Sequence, residues 1–205
     1  ASQDAGDPAP LLRLAALQGE AGDWGGAAES YRAALARAPN NAEARQGAAE
    51  AAARVAPGPA AIPFLRAEAE RAGTPRAWRA LGVSLDLSGR PAEAQAAYLR
   101  GLGASPGDPD LRSNLALSLA LTGAPEAVAE ATAAMAAPGA GARHSANAVL
   151  VLALLGREGQ ARAAARSAGL DAGDTADLLE RARRARATRD PAGRAAAVGQ
   201  VSAGG

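Results

Sequence analysis

Few residues of this 205-residue chain have types and spacing suited to chemistry. The single histidine, His144, has no second His and no acidic residue near it in sequence. It offers neither a metal pair nor a proton relay and is expected as a surface or capping residue. Glu68 with Glu70, and Asp108 with Asp110, are the closely spaced carboxylates. General acid–base work would need such a pair facing each other in an apolar cleft. These instead flank predicted turns and helix ends, where acids favour the helix dipole. Gly101, Gly103 and Gly107, and Gly139 and Gly141, follow predicted helices and so lack the strand-to-helix context of a phosphate-cradling loop. With no Cys, thiol catalysis, disulfides and the usual structural zinc sites drop out together. No set of nucleophile, base and orienting group can be assembled, and the chain reads as non-enzymatic, without cofactor or metal.

Composition says what must position any site. Nearly a third of the chain is Ala, Leu outnumbers Val and Ile together, and only 2% is aromatic. Ala and Leu are the strongest helix formers, while the β-branched and aromatic residues that favour strands are almost missing, so the chain is predicted all-α. Its helices must approach closely, because few large side chains are present to fill gaps. All 22 positive charges are Arg, balanced by 21 acids. Residues 1–180 carry 16 Arg against 20 acids, a net of −4; residues 181–205 carry 6 Arg against one acid, a net of +5. A small positive end on a slightly acidic body does not make a nucleic-acid-binding protein. The longest apolar run, 148–155, is far short of the roughly 20 residues that span a membrane.

Self-similarity organises the chain, in units of about 34 residues. Gly22, Ala27, Tyr31 and Pro39 recur two units later as Gly89, Ala94, Tyr98 and Pro106. Leu81, Leu85, Gly89 and Pro91 recur one unit later as Leu115, Leu119, Gly123 and Pro125, and Asn114 and Gly123 recur one unit further on as Asn147 and Gly156. In the clearest unit, 75–108, Trp78, Leu81 and Leu85 stripe one face of a first helix. Gly82 and Ala94 are small where two antiparallel helices cross, and Tyr98 fills the space beside them. Gly89 ends the first helix, Pro91 opens the second, and Pro106 blocks its continuation.

Trp78, Leu81-Gly82, Leu85, Ala94, Tyr98, Gly101 and Pro106 together resemble the tetratricopeptide repeat (TPR) at all of its usual signature positions. The resemblance implies a right-handed α-solenoid of about five helix pairs, phased at 8–41, 42–74, 75–108, 109–141 and 142–174, with a cap helix over 175–187. The second pair is degenerate: Pro57, Pro59 and Pro63 crowd its turn, so its second helix is expected to start late. Residues 1–7 and 188–205 lack periodicity and are expected to be disordered. In TPR proteins the first helices line a concave groove. Carried over by repeat position, the groove residues would be Gln46, Glu50 and Arg54; Arg76, Arg79, Val83, Asp86 and Leu87; Ser113 and Leu117; and Arg143 and Leu150. Arg76 and Arg79 above an aliphatic floor suit a peptide with acidic and apolar side chains, although both could equally be solvated. The recurrence of Asn114 and Asn147 suggests a buried hydrogen bond to a neighbouring turn. The basic run 181–186 fits the outer face of the cap helix, with docking on anionic lipid or an acidic partner as the alternative.

A narrower resemblance lies in the run from Asn114 to Gly123 and in Asn147 through Leu155, Gly156, Arg157 and Ala161. This doubled Asn-aliphatic-Ala-Leu-Gly pattern is similar to the TadD family of the tight-adherence (Flp, type IVb) pilus systems. It implies a periplasmic, outer-membrane-associated lipoprotein that assists assembly or localisation of the pilus secretin in the manner of a pilotin. The lipid-bearing Cys and signal peptide would precede Ala1. A TPR adaptor of another envelope pathway, such as cytochrome c maturation or outer-membrane protein assembly, and a cytoplasmic location are the alternatives.

Overall fold

The computed structural model describes residues 7–55, 59 and 61–198, and divides into two compact units, Ala1–Gly73 and Thr74–Gly205. Residues 1–6 and 199–205, for which the sequence predicts disorder, lie outside the described residues. Every regular element among the described residues is an α-helix.

The first unit holds α1 (Ala9–Glu20), α2 (Trp24–Arg37), α3 (Ala42–Val55) and α4 (Ile62–Ala72). α1 packs on α2, α2 on α3 and α3 on α4. Asp23 and Asn41 start α2 and α3, their side chains accepting from the Gly26 and Ala44 amides at 2.9 and 2.8 Å and satisfying donors that a helix N-terminus leaves open. α4 begins only at Ile62, with Pro63 in its first turn, and runs 11 residues where α2 runs 14. α4 thus starts late, as the sequence suggests, while Pro57, the other end of the proline cluster, lies outside the described residues. The core of the unit is mostly Ala: Leu12, Ala34 and Ala44 form one buried cluster, Ala27, Ala28 and Ala51 another, and Ile62 and Leu65 are the large buried side chains of α4.

The second unit stacks three helix pairs, α5 (Pro75–Leu87) with α6 (Pro91–Ala104), α7 (Pro109–Leu121) with α8 (Ala127–Ala136), and α9 (Ala142–Leu154) with α10 (Glu158–Ser167), followed by α11 (Ala172–Ala187) and α12 (Pro191–Val198). Successive first helices touch, α5 on α7, α7 on α9 and α9 on α11, which is the all-α solenoid arrangement. The same turn closes α5, α7 and α9. At Gly89 (φ 72°) the chain turns left-handed and the next amide, Arg90, bonds back to the Leu85 carbonyl at 2.9 Å; Ala124 to Leu119 and Arg157 to Leu152 repeat that bond at the same length. Glycine adopts this backbone without a Cβ clash. Leu117, Val149, Leu150, Leu154, Leu178, Leu179 and Val198 belong to one continuous apolar cluster.

Two expectations are corrected here. The segment after residue 188 is not structureless: Asp190 caps α12, accepting from the Gly193 amide at 2.6 Å, Pro191 occupies its first turn, and α12 packs on α5, α7 and α11. The helix read as a terminal cap over 175–187 begins earlier, at Ala172 under the Asp171 cap, and is not terminal. In it the basic run is an outer face, with Ala182 and Ala185 buried and Arg183 paired to Glu158 at 3.2 Å.

Candidate functional site

In the second unit, the first helices are cross-tied by polar side chains at near-equivalent repeat positions. Asp110, in the first turn of α7, accepts from Arg79 of α5 and from Arg143 and His144 of α9. His144 is buried and serves as a cap, its Nδ1 accepting from the Gly141 amide at 2.9 Å. Because that nitrogen accepts, the proton resides on Nε2, which donates to Asp110 Oδ1 at 2.9 Å. The capping expectation thus holds for His144 and the surface alternative does not. Burial alone would push the Asp110 carboxyl up, but the His144 hydrogen bond and the charges of Arg79 and Arg143 outweigh it and hold it below the ordinary range.

One turn further along, Asn147 Nδ2 donates to Ser113 Oγ at 2.7 Å in a buried contact between α9 and α7, and Asn147 Oδ1 is left without a partner. Its repeat-mate Asn114 is half-exposed, so the shared position has two different roles. Near the other end of α5, Asp86 accepts from Tyr98 of α6 at 3.0 Å and from Ser118 of α7 at 2.7 Å. Burial pushes Asp86 up to about 7, against the partial opposition of the Ser118 and Tyr98 hydrogen bonds. Burial likewise raises the Tyr98 phenol. Tyr98 lies directly on Gly82, whose missing side chain makes room for the ring.

The groove assignment changes accordingly. Arg79 is committed to Asp110 rather than presented to a partner, and Arg143, though exposed, shares the same carboxylate. Ser113, Leu117 and Leu150 are buried and belong to the interior, where neighbouring first helices close over them. Arg76 is exposed on the first turn of α5, and Val83, Asp86 and Leu87 are half-buried. α12 lies against this first-helix side: Ala192 packs on Gly89, where an added Cβ would come within 3.3 Å of the Ala192 nitrogen. Arg194 Nη1 donates to the Leu121 carbonyl at the end of α7 at 2.9 Å, and Val198 is buried in the cluster that contains Leu117 and Leu150.

In the first unit, Gln46 is exposed and Glu50 half-buried on α3. Arg54, also exposed, pairs with Glu50 at 3.4 Å and stacks its guanidinium over Trp24, 4.2 Å from the ring centroid. Among the described residues no cluster of three or more His, Asp or Glu could hold a metal ion, and no helix is long and apolar enough to cross a membrane.

In the sequence Asp110 reads only as a helix-end acid, and neither Ser118 nor α12 stands out. A signal for the first was present: Arg79, Arg143 and His144 lie one repeat length, give or take a few positions, from Asp110, which brings them to the same level of successive first helices. For α12 the signal was Asp190-Pro191, a cap followed by proline at the first helical position.

The comparisons with known proteins agree with this architecture. Residues 75–118, comprising α5, α6 and most of α7, match the family model for the tetratricopeptide repeat. No curated protein matches the sequence. Among solved structures, the MamA protein is similar at 18% identity and a TM-score of 0.67, over 78% of this chain and 89% of that one. TTC0263, a thermophilic TPR protein of Thermus thermophilus, is similar at 19% identity and a TM-score of 0.60, over 86% and 97%. YrrB, described as a TPR protein with an unusual peptide-binding site, is similar at 21% identity and a TM-score of 0.57, over 81% and 87%. At these identities the likeness is one of fold. Residues 75–118 are thus a tetratricopeptide repeat segment, set in a chain with the helix-pair fold of TPR proteins.

Proposed function

We propose that this protein is a non-enzymatic scaffold that holds a helical segment of a partner protein against the first-helix side of its second unit, on α5 and α7. The observation that carries the reading is α12, a helix of the chain itself lying on that side. It is a small stand-in for a ligand: a short helix, half of it Ala, with Val198 as its one large apolar side chain. Its Arg194 meets the carbonyl end of α7, where the helix dipole favours a cation. The Arg194 Nε is buried without a partner, so the docking of α12 is imperfect and open to competition.

In this reading the partner is the outer-membrane secretin of a type IVb (Flp/Tad) pilus, whose assembly or localisation the scaffold assists from the periplasm. Support comes from the doubled pattern running from Asn114 to Gly123 and from Asn147 to Arg157. The membrane attachment it implies would require a signal peptide and an acylatable Cys upstream of Ala1 in the full-length gene; a gene without them overturns the anchored form.

Calorimetric titration of the purified secretin into three forms tests the binding reading: the full chain, a chain ending at Thr188, and Arg194→Ala in the full chain. Removal of α12 should tighten binding about tenfold, equivalent to roughly 1.4 kcal/mol, with Arg194→Ala in between. Equal affinity in all three forms, or no binding in any, overturns it. The point substitution keeps the test informative if truncation impairs folding.

A further inference from the structure

Trp24 is a large aromatic residue that the repeat signature does not use. In the first unit its ring stands beside Gly19 of α1, where a Cβ would come within 3.1 Å of the ring carbon Cζ3. Tyr31 lies closer still on Gly47 of α3, where any side chain would collide with its ring. These two glycines let two aromatic rings approach helix backbones and leave a pocket of about 230 Å³ among α1, α2 and α3, with the Glu20 and Glu50 carboxylates also in its wall. That volume admits one long side chain and is too small for a helix.

The electrostatics of this pocket favour a cation. An aromatic face attracts a guanidinium most strongly at Trp, and an adjacent carboxylate adds an ion pair. The Tyr31 phenol is raised first by burial and then by the charges of Glu43 and Glu50, which shows the negative field at that ring. Positions 1–73 carry 9 acids against 7 Arg, a net of −2. The chain also exhibits the chemistry itself: Arg54 lies over Trp24 and against Glu50, with 53% of its side chain exposed. An exposed guanidinium held by one ring and one carboxylate is exchangeable.

We propose that the pocket between Trp24, Tyr31 and Glu50 is a receptor for an arginine side chain of a basic partner segment, which displaces Arg54 from the Trp24 ring as it enters. This site is independent of α12 and of the first-helix face of the second unit. It calls for a partner segment with an exposed Arg, the opposite charge to the acidic peptide that Arg76 and Arg79 would suggest.

The test is an NMR titration of the full chain with acetyl-arginine amide, followed at the Trp24 indole N–H, assigned with Trp24→Phe, and at the Gly47 amide. Acetyl-citrulline amide, a neutral isostere, is the control. Saturable shifts with the arginine probe and none with citrulline are expected; Glu50→Gln should abolish them and Arg54→Ala should tighten binding about two- to fivefold by removing the internal competitor. Equal responses to both probes would make the pocket a mere stacking surface and overturn the proposal. Weaker binding in Arg54→Ala, or no shift in that variant, would overturn it as well. If the natural occupant is instead an Arg of a second copy, Glu50→Gln will lower the sedimentation-derived mass of the chain, and the partner assignment fails. A lost secretin interaction with an intact arginine titration, or the reverse, separates this site from the scaffold reading above.

Discussion

Tyr31 and Tyr98 occupy the same repeat position two units apart, and the two halves of the chain use that position differently. Tyr98 is buried on Gly82 and donates to Asp86, tying α6 to α5 and, through Ser118, to α7. The residue that stands where Asp86 would be in the first unit is Gly19, and the residue in place of Pro91 is Trp24. A hydrogen-bonded acid is thus exchanged for an open space with an aromatic wall. Farther along the second unit, from α7 to α12, runs a continuous aliphatic cluster, whereas the first unit has small clusters of Ala and Leu. Two copies of one repeat frame therefore diverge into a cross-tied stack and a pair with a pocket, through changes at Gly19 in the first helix and Trp24 at the start of the second.

The sharpest way to break this comparison is to truncate both rings. Tyr98→Ala should cost about 3–5 kcal/mol, as for other buried aromatic side chains, and it also removes a hydrogen-bond donor from Asp86. Tyr31→Ala, at a half-exposed position, should cost about 1–2 kcal/mol. Urea denaturation of the two variants measures the difference, and equal losses would mean that the repeat position, not its surroundings, sets the contribution.

Asp110→Ala comes next. It strips the shared acceptor from Arg79, Arg143 and His144 at once, and about 1–3 kcal/mol of stability should be lost. Asp110 is partly solvated, which keeps the figure below that of a fully buried charge. A double variant with Arg79→Ala should lose less than the sum of the two single changes, because both act on one network.

The all-α repeat pattern was legible because each helix pair buries an apolar stripe at fixed spacing: Trp78, Leu81 and Leu85 in α5, Leu115 and Leu119 in α7. The polar ties were not, because Asp110 and Asp86 look like ordinary surface acids until side chains from a repeat length away are stacked beside them. Three of the groove positions, Ser113, Leu117 and Leu150, proved interior for a related reason. A repeat position such as Leu150 faces a partner only if the chain does not cover it, and here α9, α11 and the returning α12 share one buried cluster. α12 escaped notice because its Ala-rich stretch carries no large apolar periodicity, so only its capping residues announce it.

The two acids also respond to pH in opposite directions. Asp86 rises from 3.8 to about 7 on folding, so between those values the unfolded chain has released a proton that the folded chain keeps; stability declines as pH rises through that window and is level above it. Asp110 is lowered on folding, so its stabilisation is present above the ordinary carboxylate value and is lost as pH falls through its folded value. Thermal melts should show a maximum at about pH 4, and Asp86→Asn should flatten the alkaline limb alone. An unchanged limb in that variant would mean that Asp86 is ionised in the fold.

The smallest effects belong to two arginines at equivalent places. Arg54 stands two repeat lengths before Leu121, at the same end of its own helix. In the first unit the cation is borne by the helix itself and rests on Trp24, while in the second it arrives on α12 and bonds the Leu121 carbonyl. Arg194→Ala removes the hydrogen bond that joins α12 to the end of α7 and should cost about 1 kcal/mol, seen as faster proteolysis at 188–190. Arg54→Ala should cost no more than about 0.5 kcal/mol, because its ion pair and ring contact are solvent-exposed. If Arg54→Ala proves as costly as Arg194→Ala, the first-unit cation is a structural strut and not an exchangeable occupant of the Trp24 ring. The contrast between the units would then lie in their cores alone.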